Sequence, residues 1–330
     1  MAHTTVTGPA ETVLMTSVAR RYYLQGESKS DIAARTGLSR FKIARMLDQA
    51  LAIGLVRIEI GWPGAIDTTL SAAVQEEFDL ARAIVVNVRD DDESVVRAGV
   101  GAAAAALLTE IVTADDVLGL AWGRSLTAMA AALVRLAPCE VVQLTGALHR
   151  DDIQASSVDL VRDVARAGGG AAHYFHIPMI VATPDLARAL AEQPEVARAL
   201  ARMGSVTKAF VGIGAWHPGG STVLDALEAP DVEALSQAGV CAEISGVLID
   251  AAGRPVATPL EDRMIGIRAA TLARIKDVTA LAYGAEKAGA VRAALDSGLV
   301  HSLVLSRDLA AELLRRKADE PLDRTADEQS

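Results

Sequence analysis

The chain has 330 residues, 51% of them apolar and 3% aromatic, with two cysteines and a formal net charge of −10. That length exceeds one average domain and predicts two unequal ones, and the apolar share supplies a large aliphatic core. The negative balance excludes a protein that is one large nucleic-acid-binding surface, and the distant Cys139 and Cys241 exclude a disulfide framework or a cysteine-rich zinc site.

The start, "MAHTTVTGPAETVL", lacks the basic-then-apolar build of a signal peptide. The most apolar window, "AGVGAAAAALLTEIV", is shorter than a membrane span. A cytoplasmic protein without a membrane partner is expected. The charge is uneven: residues 1–60 hold eight Lys/Arg against five acids, a net +3, which leaves −13 on the remainder. A basic head on an acidic body points to a polyanion partner at one end only.

A helix is expected from Glu11 to about Gln25, with Val13, Leu14, Val18 and Tyr22 on one face and Gly26 as its end. A second helix runs from Ser30 to Arg35 and a third from Arg40 to Ala52, capped by Ser39. "GLVRIEIGW" then alternates with period 2, as a half-buried strand does, and Trp62-Pro63-Gly64 breaks the chain. Beyond it, strands are expected at 82–88, 116–122, 140–146, 208–214, 278–284 and 301–306. Helices are expected at 93–112, 124–136, 156–167, 184–202, 231–238, 285–297 and 307–317. Continuous apolar strands alternating with helices mean a parallel sheet covered on both faces, whose ligands collect at the carboxyl ends of the strands. The charged end "KADEPLDRTADEQS" is expected to be disordered.

In the head, Ala33 followed four positions on by Gly37 gives the small residue and the turn of a helix-turn-helix, with Ile32, Leu38, Ile43 and Leu47 placed for a shared core. Ser28, Ser39, Arg40, Lys42 and Arg45 are the candidate DNA-contacting residues. A helical hairpin with a solvated basic face is the blander alternative.

In the body, "DVLGLAWGRSLTAMAAAL" ends a buried strand at Trp122-Gly123 and opens a helix with Arg124, Ser125 and Thr127. Free N–H groups, hydroxyls and a guanidinium converge there, as an anion requires. Simple capping by Ser125 beside a surface arginine is the alternative. Lys287 occupies the first turn of another helix, where the dipole disfavours a cation, and lysine is rare after residue 60. It would favour a bound anion or carbonyl, unless it is merely solvated. Asp250 is either a turn former or a hydroxyl acceptor. His173 and His176 lack a third metal ligand and are read as packing or pocket lining. "GIGAWHPGG" lacks the glycine spacing of a dinucleotide loop, and neither a hydrolase triad nor a P-loop is present.

The motifs "SDIAARTGLSRFKIARMLDQALAIGLVRIEI", "GLAWGRSLTAMA", "VVQLTGAL", "GVCAEISGVLIDAAGRP" and "LAYGAEKAGAVRAALDSGLVHSLVLSRDLA" stand in an order that resembles the SorC family of sugar-binding bacterial transcription regulators, over nearly all of residues 12–315. The resemblance implies an α/β protein: an N-terminal winged helix-turn-helix plus a Rossmann-like parallel-sheet effector domain similar to sugar-phosphate isomerases and deaminases. The resemblance, with the break at Trp62-Pro63-Gly64 as boundary and the charged end as tail, gives residues 1–61 as DNA-binding domain, 62–64 as linker, 65–317 as effector-binding and oligomerisation domain, and 318–330 as tail. It implies a homodimer or homotetramer on double-stranded operator DNA, no cofactor or metal, no catalysis, and a sugar, polyol or phosphosugar effector. Gly123, Arg124 and Ser125 match the family's phosphate or sugar loop. Thr145 and Gln154 match pocket-lining positions, and Glu243, Asp250 and Lys287 match polar positions of later strands. The loop reads Trp-Gly-Arg-Ser, as in the sugar- and polyol-sensing branch, not the Gly-Gly-Thr-Thr of phosphosugar sensors. Ser306-Arg307-Asp308 replaces a common Thr-Asp-Glu. The rival reading is a sugar-phosphate isomerase or deaminase-like enzyme, which would need an acid and a base facing one pocket.

Overall fold

A computed structural model describes residues 8–56, 66–88, 92–148 and 156–318. The chain forms two compact units, Met1–Ile60 and Gly61–Ser330. The strand expected over 54–62 lies outside the described residues except for Gly54 to Val56, as do the break at Trp62–Gly64, Gln154 and the tail beyond 318.

In the first unit, α1 (Pro9–Ala19) runs into a π-helical turn at Arg20–Leu24, followed by α2 (Lys29–Thr36) and α3 (Arg40–Ala52). Ser28 caps α2 in a reciprocal box with Asp31. Gly37, at φ 70°, takes the left-handed step between α2 and α3 that a side chain would strain. Ser39 then accepts the Lys42 N–H at the start of α3. Met15, Val18, Ile32, Ile43, Met46, Leu47 and Ala50 form the buried core of this unit. Val13, expected to face it, is 71% exposed, and Met15 takes that place.

The second unit begins with α4 (Thr68–Glu77), β1 (Arg82–Val86), α5 (Glu93–Ile111), β2 (Val117–Leu120) and α6 (Arg124–Ala132). It continues through β3 (Glu140–Gln143), α7 (Ser157–Gly168), β4 (Ala172–His173), α8 (Pro184–Ala191) and α9 (Pro194–Arg202). Then come β5 (Lys208–Ala215), α10 (Ala229–Gln237), β6 (Val240–Ile244), β7 (Val247–Asp250) and α11 (Ala269–Leu272). The last elements are β8 (Asp277–Ala282), α12 (Ala288–Asp296), β9 (Ser302–Ser306) and α13 (Arg307–Ala318). The helix expected over 184–202 is divided because Pro194 cannot donate to the preceding turn and instead starts α9.

The sheet order is β1-β9-β8-β5-β2-β3-β4, every pair parallel, with the β6–β7 hairpin joined antiparallel to the far end of β5. Alternate residues serve opposite faces. Phe210, Leu281 and Val304 pack with α5, α6 and α7 on one side, through Leu108, Leu126 and Val161. Val211, Ala280 and Leu303 pack with α12 and α13 on the other, through Val291 and Leu309. Period-2 burial on both faces explains the unbroken apolar strands. Helix α5 is longer than its apolar window and, by length and composition alone, long enough to cross a membrane. Here Val100, Ala104, Leu107 and Leu108 lie in the core beside the sheet.

At the amino ends of β2 and β5, Asp116 accepts Lys208 Nζ at 2.7 Å, Thr207 Oγ1 at 2.8 Å and the Thr113 N–H at 2.9 Å. Burial pushes this carboxyl up, but those donors outweigh burial and hold it at about 2. The chain moves outward in one direction from β2 to β4, then returns to place β5 on the other side of β2. The carboxyl ends of β2 and β5 are therefore the switch point where an open α/β sheet leaves a crevice.

Candidate functional site

A cavity of about 590 Å³, mouth included, opens at that switch point. Its walls come from the carboxyl ends of β2, β3, β5 and β8, together with the β6–β7 hairpin. Six of the nine sequence-expected effector residues line it: Gly123, Arg124, Ser125, Thr145, Glu243 and Lys287.

Glu243 is the floor. It is 5% exposed, and its carboxylate accepts the Ser221 hydroxyl at 3.0 Å and the Gly246 N–H at 3.0 Å. Burial pushes its pKa above the usual carboxylate value, against the opposing pull of Gly246, Ser221 and Lys287. Gly214 pairs with Glu243 across β5 and β6, and a Cβ there would run into both Glu243 Oε1 and Ser221 Oγ. The absence of a side chain at 214 is what lets the carboxylate lie against the sheet.

Lys287 enters from the other side, at the cap of α12, with Nζ 4.9 Å from the Tyr283 ring centre. Burial pushes its pKa below the usual lysine value, reinforced by Arg124 and opposed by Glu286, Glu93 and Glu243. Arg124 is tied in place: it donates to the Gly219 carbonyl at 3.0 Å and lies 3.8 Å from Asp225 and 3.9 Å from Glu93.

Ser125 does not cap α6; the cap position is Gly123, without a side-chain bond. The amino end of α6, from Gly123 to Leu126, lines the cavity, and the positive end of the helix dipole lies there. Ser245, in the left-handed turn between β6 and β7, also lines the cavity. It is 7% exposed, and its hydroxyl has no partner among the described residues. A buried acceptor, a half-buried cation, a spare hydroxyl and the amino end of a helix within one cavity suit a polyhydroxylated ligand that can also carry negative charge.

The remaining expected residues lie elsewhere. Thr127 donates its hydroxyl to the Gly123 carbonyl within α6. Asp250 ends β7, where it accepts the Ala252 and Arg254 N–H groups and pairs with the Arg254 guanidinium; it is the turn former. His173 bonds to Glu140 at 2.8 Å, while His176 packs edge-on against Tyr174. Among the described residues no group of three His, Cys, Asp or Glu could hold a metal ion. Sequence reasoning missed Ser221, Ser245 and Tyr283, which are brought in by strand pairing between distant segments. It also missed Gln143, which is fully buried and props Thr145 by donating to its carbonyl at 2.7 Å.

In the head, Arg40, Lys42 and Arg45 are exposed and form no ion pair among the described residues. The hydroxyls of Ser28 and Ser39 are engaged in capping α2 and α3.

Residues 65–315 match the protein family described as "Putative sugar-binding domain". The chain is 27% identical over 304 residues to the uncharacterized transcriptional regulator YjhU of Escherichia coli, covering 89% of this chain and 92% of that protein. It is 26% identical over 314 residues to the transcriptional regulator LsrR of Klebsiella pneumoniae, covering 92% and 94%. Among solved structures, the full-length sorbitol operon regulator SorC from Klebsiella pneumoniae is similar in fold. Its TM-score is 0.70 at 22% identity, over 92% of this chain and 99% of that one.

Proposed function

The chain belongs to the SorC family of proteins with a sugar-binding domain, and from that premise we propose that it is a DNA-binding transcriptional regulator controlled by a sugar, polyol or sugar-phosphate effector. The cavity carries the reading: Glu243, Lys287, Ser245 and the amino end of α6 converge on one space at the sheet's switch point. Glu243 accepts a ligand hydroxyl, Lys287 neutralises a charged or polarised oxygen, and Arg124, Ser125 and Thr145 complete the wall. Arg40, Lys42 and Arg45 supply the contacts to operator DNA, and Gln154 belongs to the effector set by resemblance.

The division of labour follows the domains: residues 1–61 bind DNA, 62–64 link, and 65–317 bind effector and assemble into a homodimer or homotetramer in the cytoplasm. Two-fold symmetry then calls for a palindromic operator. Control is linkage: the effector shifts operator binding only by its difference in affinity between DNA-competent and incompetent states.

Thermal-shift screening of sugars, polyols and their phosphates against wild type and Lys287→Met tests the effector half. A stabilising compound whose shift is lost in the variant supports it. A protein that no such compound stabilises contradicts it. The cavity does hold a carboxylate and an amine, the pair an isomerase would need. Steady turnover of the stabilising compound would move the assignment to an enzyme.

A further inference from the structure

Helix α3 sorts its side chains into rows. At about 100° per residue, Ile43, Met46, Leu47 and Ala50 point into the head's core, each 4% exposed or less. Opposite them stand Phe41, Arg45 and Asp48, spaced i, i+4, i+7 and all exposed. Arg40 and Lys42 fall between these rows, one on each flank.

Phe41 is the anomaly. It is 84% exposed, whereas Phe175 and Phe210 are buried and Phe78 is half-buried. Leaving a phenylalanine in water forgoes about 1.5–3 kcal/mol of burial. It occurs here in the first turn of the helix that the fold holds out on its basic face, with Arg40 and Lys42 on either side.

We infer that Phe41 is a specificity-determining residue that reads thymine, its ring packing on the C5-methyl group in the major groove. The inference rests on the DNA-reading function proposed above. A recognition helix presents its amino-terminal turns to base edges, and a thymine methyl is the one apolar group a base pair offers there. The row facing away from the core enters deepest, so Phe41 and Arg45, one turn apart, meet bases. Arg40 and Lys42, on the flanks, meet the phosphates of the two strands. Asp48, a further turn along, is repelled by phosphate, which confines base reading to the amino-terminal half of α3.

The test is selection from random-sequence duplexes by full-length wild type and Phe41→Ala. The expected wild-type consensus holds a T·A pair in each half-site whose replacement by uracil, which lacks only the methyl, weakens binding roughly five- to tenfold. Phe41→Ala loses the same factor on the thymine duplex and does not distinguish thymine from uracil; Phe41→Leu keeps part of the discrimination. Because residue 41 is exposed, both variants retain the wild-type melting temperature. A Phe41→Ala protein that still discriminates thymine from uracil overturns the inference while leaving DNA reading intact. So does one whose sedimentation shows a changed oligomer, since the ring would then be an interface between copies. A wild-type protein that selects no duplex overturns both.

Discussion

Ser221 donates a 3.0 Å hydrogen bond to the buried carboxylate of Glu243, and the pair meets only because residue 214 has no side chain. The carboxylate receives two protein donors, yet burial still pushes its pKa up. Two neutral donors compensate only partly for taking a charge out of water. A group whose folded pKa is raised contributes stability below its unfolded value, near 4.5, and loses it as pH rises through the folded value. At neutral pH Glu243 is therefore a net cost to the fold.

Glu243→Gln should raise the melting temperature of the ligand-free protein at pH 7 by roughly 2–4 °C per kcal/mol recovered. The difference from wild type should close as pH falls toward 4.5. The same variant should lose most of its thermal shift with any effector. Calorimetry across pH, with and without ligand, reads both.

Gly214→Ala places a methyl against Glu243 Oε1 and Ser221 Oγ. Overpacking of this kind costs about 1–3 kcal/mol. The urea midpoint should fall accordingly, and effector binding should fall with it because the carboxylate is pushed off the sheet. A variant with wild-type effector affinity would show that Glu243 does not need its observed position.

Lys287→Met keeps an unbranched chain beside Tyr283 and removes the charge. Affinity for a phosphorylated or carboxylated effector should drop by about 1.5–3 kcal/mol, the range of a charged hydrogen bond, with little loss of stability. For wild type, affinity for such a ligand should weaken as pH rises, before the ordinary lysine value of 10.5 is reached, because the folded-state pKa is lowered. Isothermal titration at several pH values measures both.

Much of this was legible from the chain. Six of the seven parallel strands announced themselves because each is apolar on both faces, whereas β4 is only two residues long; α3 announced itself through Ser39 and its 3.6-residue period. The β6–β7 hairpin is not legible as strands because its two runs are short, although Ser245-Gly246, both at positive φ, is a tight-turn signal. Lys287 and Asp250 stand out by their local positions and, with Glu243, match the family's polar positions, but neither signal carries register. Only pairing places Glu243 against Gly214 and leaves Asp250 in a turn. Ser221 is brought to Glu243 from 22 residues away, a distance that no local pattern encodes.

Asp116 makes the opposite pH prediction. Its folded pKa is lowered from 3.8 to about 2, so its contribution is fully present above 3.8 and is lost as pH falls through about 2. Asp116→Asn should lower stability at pH 7 by about 2 kcal/mol. The gap to wild type should narrow only below pH 4. Chemical denaturation at pH 7, 4 and 3 resolves the difference. The carboxyl is far from the cavity, at the amino ends of the strands, so effector affinity should be unchanged.

The most direct test of the account is fluorescence anisotropy of full-length protein on a duplex it has itself selected, titrated with and without a stabilising effector. Regulation by linkage predicts that the effector changes the dissociation constant by about 5–150-fold, with affinity falling as salt rises because phosphate contacts release counterions. Arg45→Ala should weaken duplex binding by about 1–3 kcal/mol while preserving the effector's thermal shift. Duplex binding that is absent, or indifferent to both effector and Arg45, would contradict it.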